Sequence, residues 1–105
     1  MNNKEILEYF NGKFGTSVDS RMRKLEEEFN ELKEAAAADA FKNDRNMEDF
    51  IDELADLNGV LFHIAGILGY SQEDLMTMVI DKVKGREKDP NYKRKHPHVK
   101  NNECE

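Results

Sequence analysis

Several things are scarce in this 105-residue chain. Cysteine occurs once, at Cys104 beside the C-terminus, so no internal disulfide is possible. Proline occurs twice, at Pro90 and Pro97, which leaves the long stretch before them free of the strongest helix breaker. Tryptophan is absent, so any ring stacked on a ligand must come from tyrosine or phenylalanine. No apolar run approaches the ~18 residues that a membrane-spanning helix needs. The start, "MNNKEILEYF", lacks the basic-then-apolar layout of a signal peptide. These absences lead to the expectation of a soluble cytoplasmic protein with no membrane partner.

Charge is abundant. Charged residues make up 36% of the chain and the mean hydropathy is −0.84, while the 38% hydrophobic share still permits a core if it is well patterned. The length suits a single domain spanning residues 1–105. The net charge of −6 conceals an asymmetry: residues 82–100 hold eight Lys/Arg against Glu87 and Asp89, and the remainder is strongly acidic. An acidic body argues against a protein that coats nucleic acid. The basic segment from about residue 88 to 105 balances that body, or contributes cations to an anionic ligand.

Apolar residues recur every three or four positions and no alternating pattern persists, which predicts an all-α fold, a compact bundle of about four helices. A first helix is expected over about Lys4–Phe14, with Ile6, Leu7, Phe10 and Phe14 on one side, ended by Gly15. Ser17 or Asp19 can cap a second helix running to about Ala40, with Met22, Leu25, Phe29, Leu32 and Ala36 inward. Asn46 can cap a third, whose stripe is Phe50, Leu54, Leu57, Leu61, Ile64 and Leu68, stopped by Gly69. "SQED" then opens a fourth over roughly Gln72–Glu87, with Leu75, Val79 and Val83 inward. From Asp89 onward the chain reads as extended or loose.

The stretch "KLEEEFNELKEAAAADA", residues 24–40, poses the functional question, because it packs six carboxylates beside apolar positions. Acidic i,i+3 pairs are by themselves uninformative: the five present are no more than 22 acids would give by chance. Position on the helical wheel discriminates better. Glu28 and Glu31 border the stripe of helix two, and Glu53 and Asp56 border that of helix three, whereas Glu34 and Asp52 point further away. Neighbouring helices with a short connection pack antiparallel. Counted back from that connection, the two pairs differ by about one turn, roughly four residues at ~1.5 Å each, which glutamate side chains can span. Four carboxylates so gathered repel one another unless protons or a cation join them. An all-oxygen set suits Mg²⁺, or Mn²⁺, better than iron, which in helical bundles takes Glu-x-x-His pairs. His63 lies near that face, and a lone histidine fits a structural role as well as a ligand role. Lys82 and Arg86, an i,i+4 pair, can present two cations to one polyphosphate or simply complement the end of their own helix. Lys24, one turn before Glu28, is a further candidate. The alanine run Ala35–Ala38 favours helix and also leaves room beside Glu31.

"EFNE" (28–31) followed after 21 residues by "ELAD" (53–56), with "KLEEEFNEL" before and "LNGVLFHIAGILG" after, resembles the signature of MazG-type nucleotide pyrophosphohydrolases. "DKVKGR" (81–86) is similar to the last-helix stretch of that superfamily. The resemblance covers about residues 20–87. It implies hydrolysis between the α- and β-phosphates of a nucleoside triphosphate, giving the monophosphate and pyrophosphate. It implies further that Glu28, Glu31, Glu53 and Asp56 hold Mg²⁺ and that Lys82 and Arg86 contact phosphates. Glu28 and Glu53 are then the catalytic candidates, with Glu27 an alternative proton acceptor. A homodimer or homotetramer is also implied, with sites near the subunit interface. "KRKHPHV" (93–99) falls later than in many members of the superfamily, after "EKDPNY". Arg94, Lys95 and His96 could reach a phosphate or remain solvated. Tyr70, Tyr92 or a phenylalanine could stack on a base, and nothing in the sequence selects one. Two rival readings stand beside this one. The first is a phosphoribosyl-ATP pyrophosphohydrolase, acting on a ribosylated adenine nucleotide. The second is a non-catalytic helical module whose acidic face binds a basic partner.

Overall fold

The structure, a computed structural model, describes residues 1–37, 39 and 41–91. They form four α-helices and, among the described residues, no strand: α1 (Asn3–Phe14), α2 (Val18–Ala37), α3 (Asp44–Ile67) and α4 (Gln72–Glu87). The fold class is all-α, as the periodicity predicts. No helix among the described residues is long and apolar enough to cross a membrane. Arg94, Lys95, His96, Tyr92 and Cys104, with the expected extension of α2 through Ala38 to Ala40, fall outside the described residues, Asp39 apart.

Each boundary has a local cause. Asn2 and Glu5 form a reciprocal capping box at the start of α1, with the Glu5 amide donating to Asn2 Oδ1 at 2.9 Å. Gly15 ends that helix at φ 80°, a backbone state that glycine adopts without a Cβ clash. Ser17, rather than Asp19, opens α2: its Oγ accepts from the Ser20 amide at 3.2 Å. The cap of α3 is Asn43, not Asn46. Asn43 Oδ1 accepts from the Asn46 amide at 2.8 Å, so Asn46 is the third residue inside the helix whose donor the cap satisfies. At the other end Gly69 takes φ 89°, the Tyr70 amide donates to Ala65 O at 2.9 Å and the Gly69 amide to Gly66 O at 3.1 Å. This pair of backward bonds is the Schellman arrangement.

The chain divides into two units, one from Met1 to Ser71 and one beginning at Gln72. In the first, α3 is the central element. α2 makes the main packing against it and α1 also packs on it. Gly66 clears the track for α1, whereas Gly59 leaves room that a methyl could also occupy. A Cβ on Gly66 would fall 2.5 Å from Leu7 Cδ1, and one on Gly59 would meet the Phe10 ring at 3.9 Å. Phe10 also meets Phe62 edge-on at 6.1 Å between ring centres.

The interior is thinner than the stripes suggest. Among the described residues only Val60 and Ala65 are fully buried apolar side chains, and the other buried residues are Arg21, Glu28 and His63. Met22, Phe29, Leu54, Leu61 and Leu68, expected inward, remain substantially exposed. The reason is geometric: a stripe about 100° wide exceeds what one neighbouring helix covers. On the second unit, α4 runs over the expected span and fully buries none of its residues, and Val79 and Val83 are likewise exposed.

Candidate functional site

The α2–α3 seam positions the carboxylates. Glu28 sits one turn after Lys24 on the buried face of α2, and Glu53 and Asp56 lie a turn apart on α3. One carboxylate oxygen from each of Glu28, Glu53 and Asp56 lies within 4.8 Å of the others. Glu28 is buried, Glu53 half-buried and Asp56 exposed, so the cluster has a closed side and an open side. Two of its oxygens, Glu28 Oε2 and Glu53 Oε2, are shut off from solvent with no hydrogen-bond partner.

Glu31 joins the group through a proton. Its carboxyl is pushed up to about 7, chiefly by a hydrogen bond with Glu28, then by desolvation and by the charges of Glu28 and Glu53. Near neutrality Glu31 therefore holds a proton about half the time, which offsets some of the like-charge repulsion. The four acids singled out in the sequence thus occupy one locality across two helices.

Such a set has the chemistry of a hard-cation site. It offers only oxygen donors, carries excess negative charge, and leaves two buried oxygens with no partner but the Glu31 proton, an expensive state for carboxylates once that proton is lost unless a cation meets them. Glu28, Glu53 and Asp56 could hold a divalent ion directly, with Glu31 able to join on losing its proton.

Lys24 serves the cluster as a counter-ion in this structure. Its Nζ lies 3.0 Å from Glu28 Oε1 and 3.4 Å from Glu27 Oε1. The hydrogen bond with Glu28 is the main reason its pKa is raised, against a smaller opposing desolvation, so the ammonium stays charged. Glu27, mostly exposed, shares that ammonium with Glu28. Lys82 and Arg86 lie on α4, in the second unit, exposed and one turn apart on a common face.

Beside the acids lies a second group, in which the sequence reading placed His63, Phe10 and Phe14 but missed Arg21 and Asn11. His63 is completely buried, and its Nε2 lies 2.9 Å from Asn11 Oδ1. Phe10 and Phe14 pack on its ring at 5.6 and 6.4 Å between centres. Burial holds the His63 pKa below its ordinary value, and the nearby Arg21 charge lowers it further, so the ring is neutral at pH 7. Arg21 is itself buried, its guanidinium carbon 4.5 Å from the centre of the Phe14 ring. Phe10, Phe14 and Arg21 border a chamber of about 310 Å³, whose walls continue through Lys24 and Glu28 from α2 and Asp56 and Gly59 from α3. Glu28 and Asp56 belong to both the chamber and the carboxylate cluster. The available signal was position: Arg21 precedes Glu28 by seven residues, so a cation occupies the helix face otherwise assigned to packing.

The family described as phosphoribosyl-ATP pyrophosphohydrolase matches residues 8–87, a span that contains every carboxylate above together with Lys82 and Arg86. No curated protein and no solved structure matches the chain at a significant level.

Proposed function

The chain belongs to the phosphoribosyl-ATP pyrophosphohydrolase family, within the MazG-like all-α nucleotide pyrophosphohydrolase superfamily, and from that premise we propose that it hydrolyses nucleoside triphosphates, NTP or dNTP, to the monophosphate and pyrophosphate. The observation that carries this reading is the convergence of Glu28, Glu53 and Asp56 with two buried, unpartnered carboxylate oxygens. A triphosphate is a polyanion that such acids would repel, so the two meet productively only when a cation lies between them.

In this reading Glu28, Glu31, Glu53 and Asp56 hold Mg²⁺, with Mn²⁺ as the alternative. When bound, the ion supplies charge neutralisation for the phosphates and a more acidic water. The chain's own groups do the rest. A water oxygen bonds to the α-phosphorus, the bridging P–O bond breaks, and its electron pair leaves with pyrophosphate. Glu28 or Glu53 accepts the proton lost by the water, since both present carboxylate oxygen at the cluster. Glu27 is the alternative acceptor. Lys82 and Arg86 bind the outer phosphates and stabilise the charge that accumulates on the leaving group. Lys24 joins them, since its ammonium lies beside the acids, 3.0 Å from Glu28.

The family description favours a second reading, in which the nucleotide is phosphoribosyl-ATP and the same bond is cleaved. The acting unit is a homodimer or homotetramer in the cytoplasm, where nucleotides are pooled. The exposed Met22, Phe29 and Leu61, which line one apolar groove along α2 and α3, support self-association.

The test is a panel of NTPs, dNTPs and phosphoribosyl-ATP incubated with Mg²⁺ and assayed for pyrophosphate. Glu53→Gln should lower the rate by about 100-fold or more, since it removes a charged oxygen from the reacting centre. Pyrophosphate release that survives Glu53→Gln removes this site from the reaction.

A further inference from the structure

The cation that stands among the acids is a side chain of the same helix. Lys24 and Glu28 are four residues apart on α2, with Lys24 Nζ 3.0 Å from Glu28 Oε1. The glutamate side chain is 7% exposed, whereas that of the lysine is 38% exposed. A buried carboxylate cannot turn to water for a replacement partner, so something positive must meet it. Lysine placed before glutamate is the weaker of the two orders for such a helical pair. Lys24 also has a second acceptor: Glu27 Oε1, on a mostly exposed side chain, lies 3.4 Å from the same ammonium. Open volume adjoins the pair, since Lys24, Glu28 and Asp56 all line the chamber of about 310 Å³. The ammonium therefore engages the buried acid by a bond it can leave, with another acid at hand.

Glu28 is also one of the three acids whose oxygens converge within 4.8 Å. A divalent ion held by those acids and the Lys24 ammonium draw on one carboxylate, and at such a separation the two cations repel. The ammonium thus weakens binding of the ion alone. A triphosphate reverses the sign, because its negative charge attracts ion and ammonium together.

We propose that Lys24 is a coupling residue: it competes with the divalent ion for Glu28, turns to Glu27 when the ion binds, and so makes tight ion binding depend on a triphosphate. The inference rests on the nucleotide reading above and deepens it. Its consequence is that ion and nucleotide bind as a pair, while the acids hold an ion only weakly between turnovers.

Isothermal titration of the full chain at about pH 8, where Glu31 has largely lost its proton, tests this. It measures Mg²⁺ affinity with and without the non-hydrolysable α,β-methylene analogues of dUTP and ATP. Lys24→Met should raise the affinity for Mg²⁺ alone about tenfold, and Lys24→Arg, which keeps the charge, should leave it within about twofold. The analogues should strengthen Mg²⁺ binding in the wild type by a factor about tenfold larger than in Lys24→Met. Glu27→Gln should weaken Mg²⁺ binding about threefold in the wild-type background and have no effect in the Lys24→Met background. Thermal denaturation is a second readout: the same Mg²⁺ concentration should raise the melting temperature of Lys24→Met more than that of the wild type. Mg²⁺ affinity that is unchanged or lower in Lys24→Met overturns the proposal, the lower value meaning that Lys24 orients Glu28 for the ion. An equal effect of Glu27→Gln in both backgrounds also overturns it. None of these readouts uses turnover, so pyrophosphate release that survives Glu53→Gln sinks the catalytic reading and leaves the coupling to the titrations. Absence of Mg²⁺ binding in both the wild type and Lys24→Met overturns the two together.

Discussion

The shared proton on Glu31 makes a quantitative demand on cation binding. Glu31 titrates near 7 because Glu28 and Glu53 crowd it. A divalent ion bound by the same acids favours the ionised form, so it must displace that proton. Below pH 7 each ion bound therefore releases close to one proton, and well above it none. The apparent Mg²⁺ affinity should rise about ninefold between pH 5 and 6 and only about twofold between pH 7 and 8. Isothermal titration at pH 6 in two buffers of different ionisation enthalpy should count about 0.9 proton released per ion. Glu31→Gln, which carries no titratable proton, should flatten the pH profile. The same linkage sets stability without metal. Glu31 titrates near 7 folded against an ordinary 4.5, so between these values the folded chain holds the extra proton. Stability of the metal-free chain must fall as pH rises through that window, and saturating Mg²⁺ should restore it. Mg²⁺ affinity that is level from pH 5 to 8, or a pH slope that persists in Glu31→Gln, would refute the reasoning. Absence of Mg²⁺ binding altogether would favour the non-catalytic acidic module.

Three further outcomes follow from the packing. Asn11→Ala leaves His63 Nε2 buried without its partner, at a cost of about 1–3 kcal/mol, so thermal denaturation should show a melting temperature lower by roughly 5–15 °C. Gly66→Ala drives a methyl into Leu7 and should destabilise the chain by about 1–2 kcal/mol despite alanine's better helix propensity. Denaturant titration of the Gly66→Ala, Leu7→Ala double variant should recover part of that loss, because the clash is then gone. Phe29→Glu puts a charge on the apolar groove of α2 and α3, and sedimentation should show a shift toward monomer with the helix content retained.

Much of the site was legible because helices obey simple arithmetic. Border positions on two wheels, and counts back from one connection that differ by only about one turn, bring Glu28 and Glu31 to Glu53 and Asp56 from the sequence alone. Helix ends were readable where glycine or a small polar residue marks them, at Gly15, Ser17 and Gly69. The α3 cap was misread because Asn43 and Asn46 are chemically alike, and only the backbone decides which one stands outside the helix. Burial was read less well. An apolar stripe fixes which face prefers shelter but not whether a neighbour supplies it, so Phe29 and Leu61 remain open. The burial of Arg21 had a positional signal, its spacing of seven before Glu28, but the Asn11–His63 contact was invisible for a different reason. A long-range pairing of polar side chains between two helices leaves no period in the sequence.

The cation candidates are divided between two helices, Glu28 on one and Glu53 and Asp56 on its neighbour. Their mutual spacing is thus set by how the helices align lengthwise, like the two scales of a vernier. A slip of a single residue would translate one scale by ~1.5 Å and rotate it by ~100°, scattering the oxygens. The greasy seam that never touches a phosphate is therefore the instrument's calibration. Substitutions there can silence the chemistry while every acid is still in place.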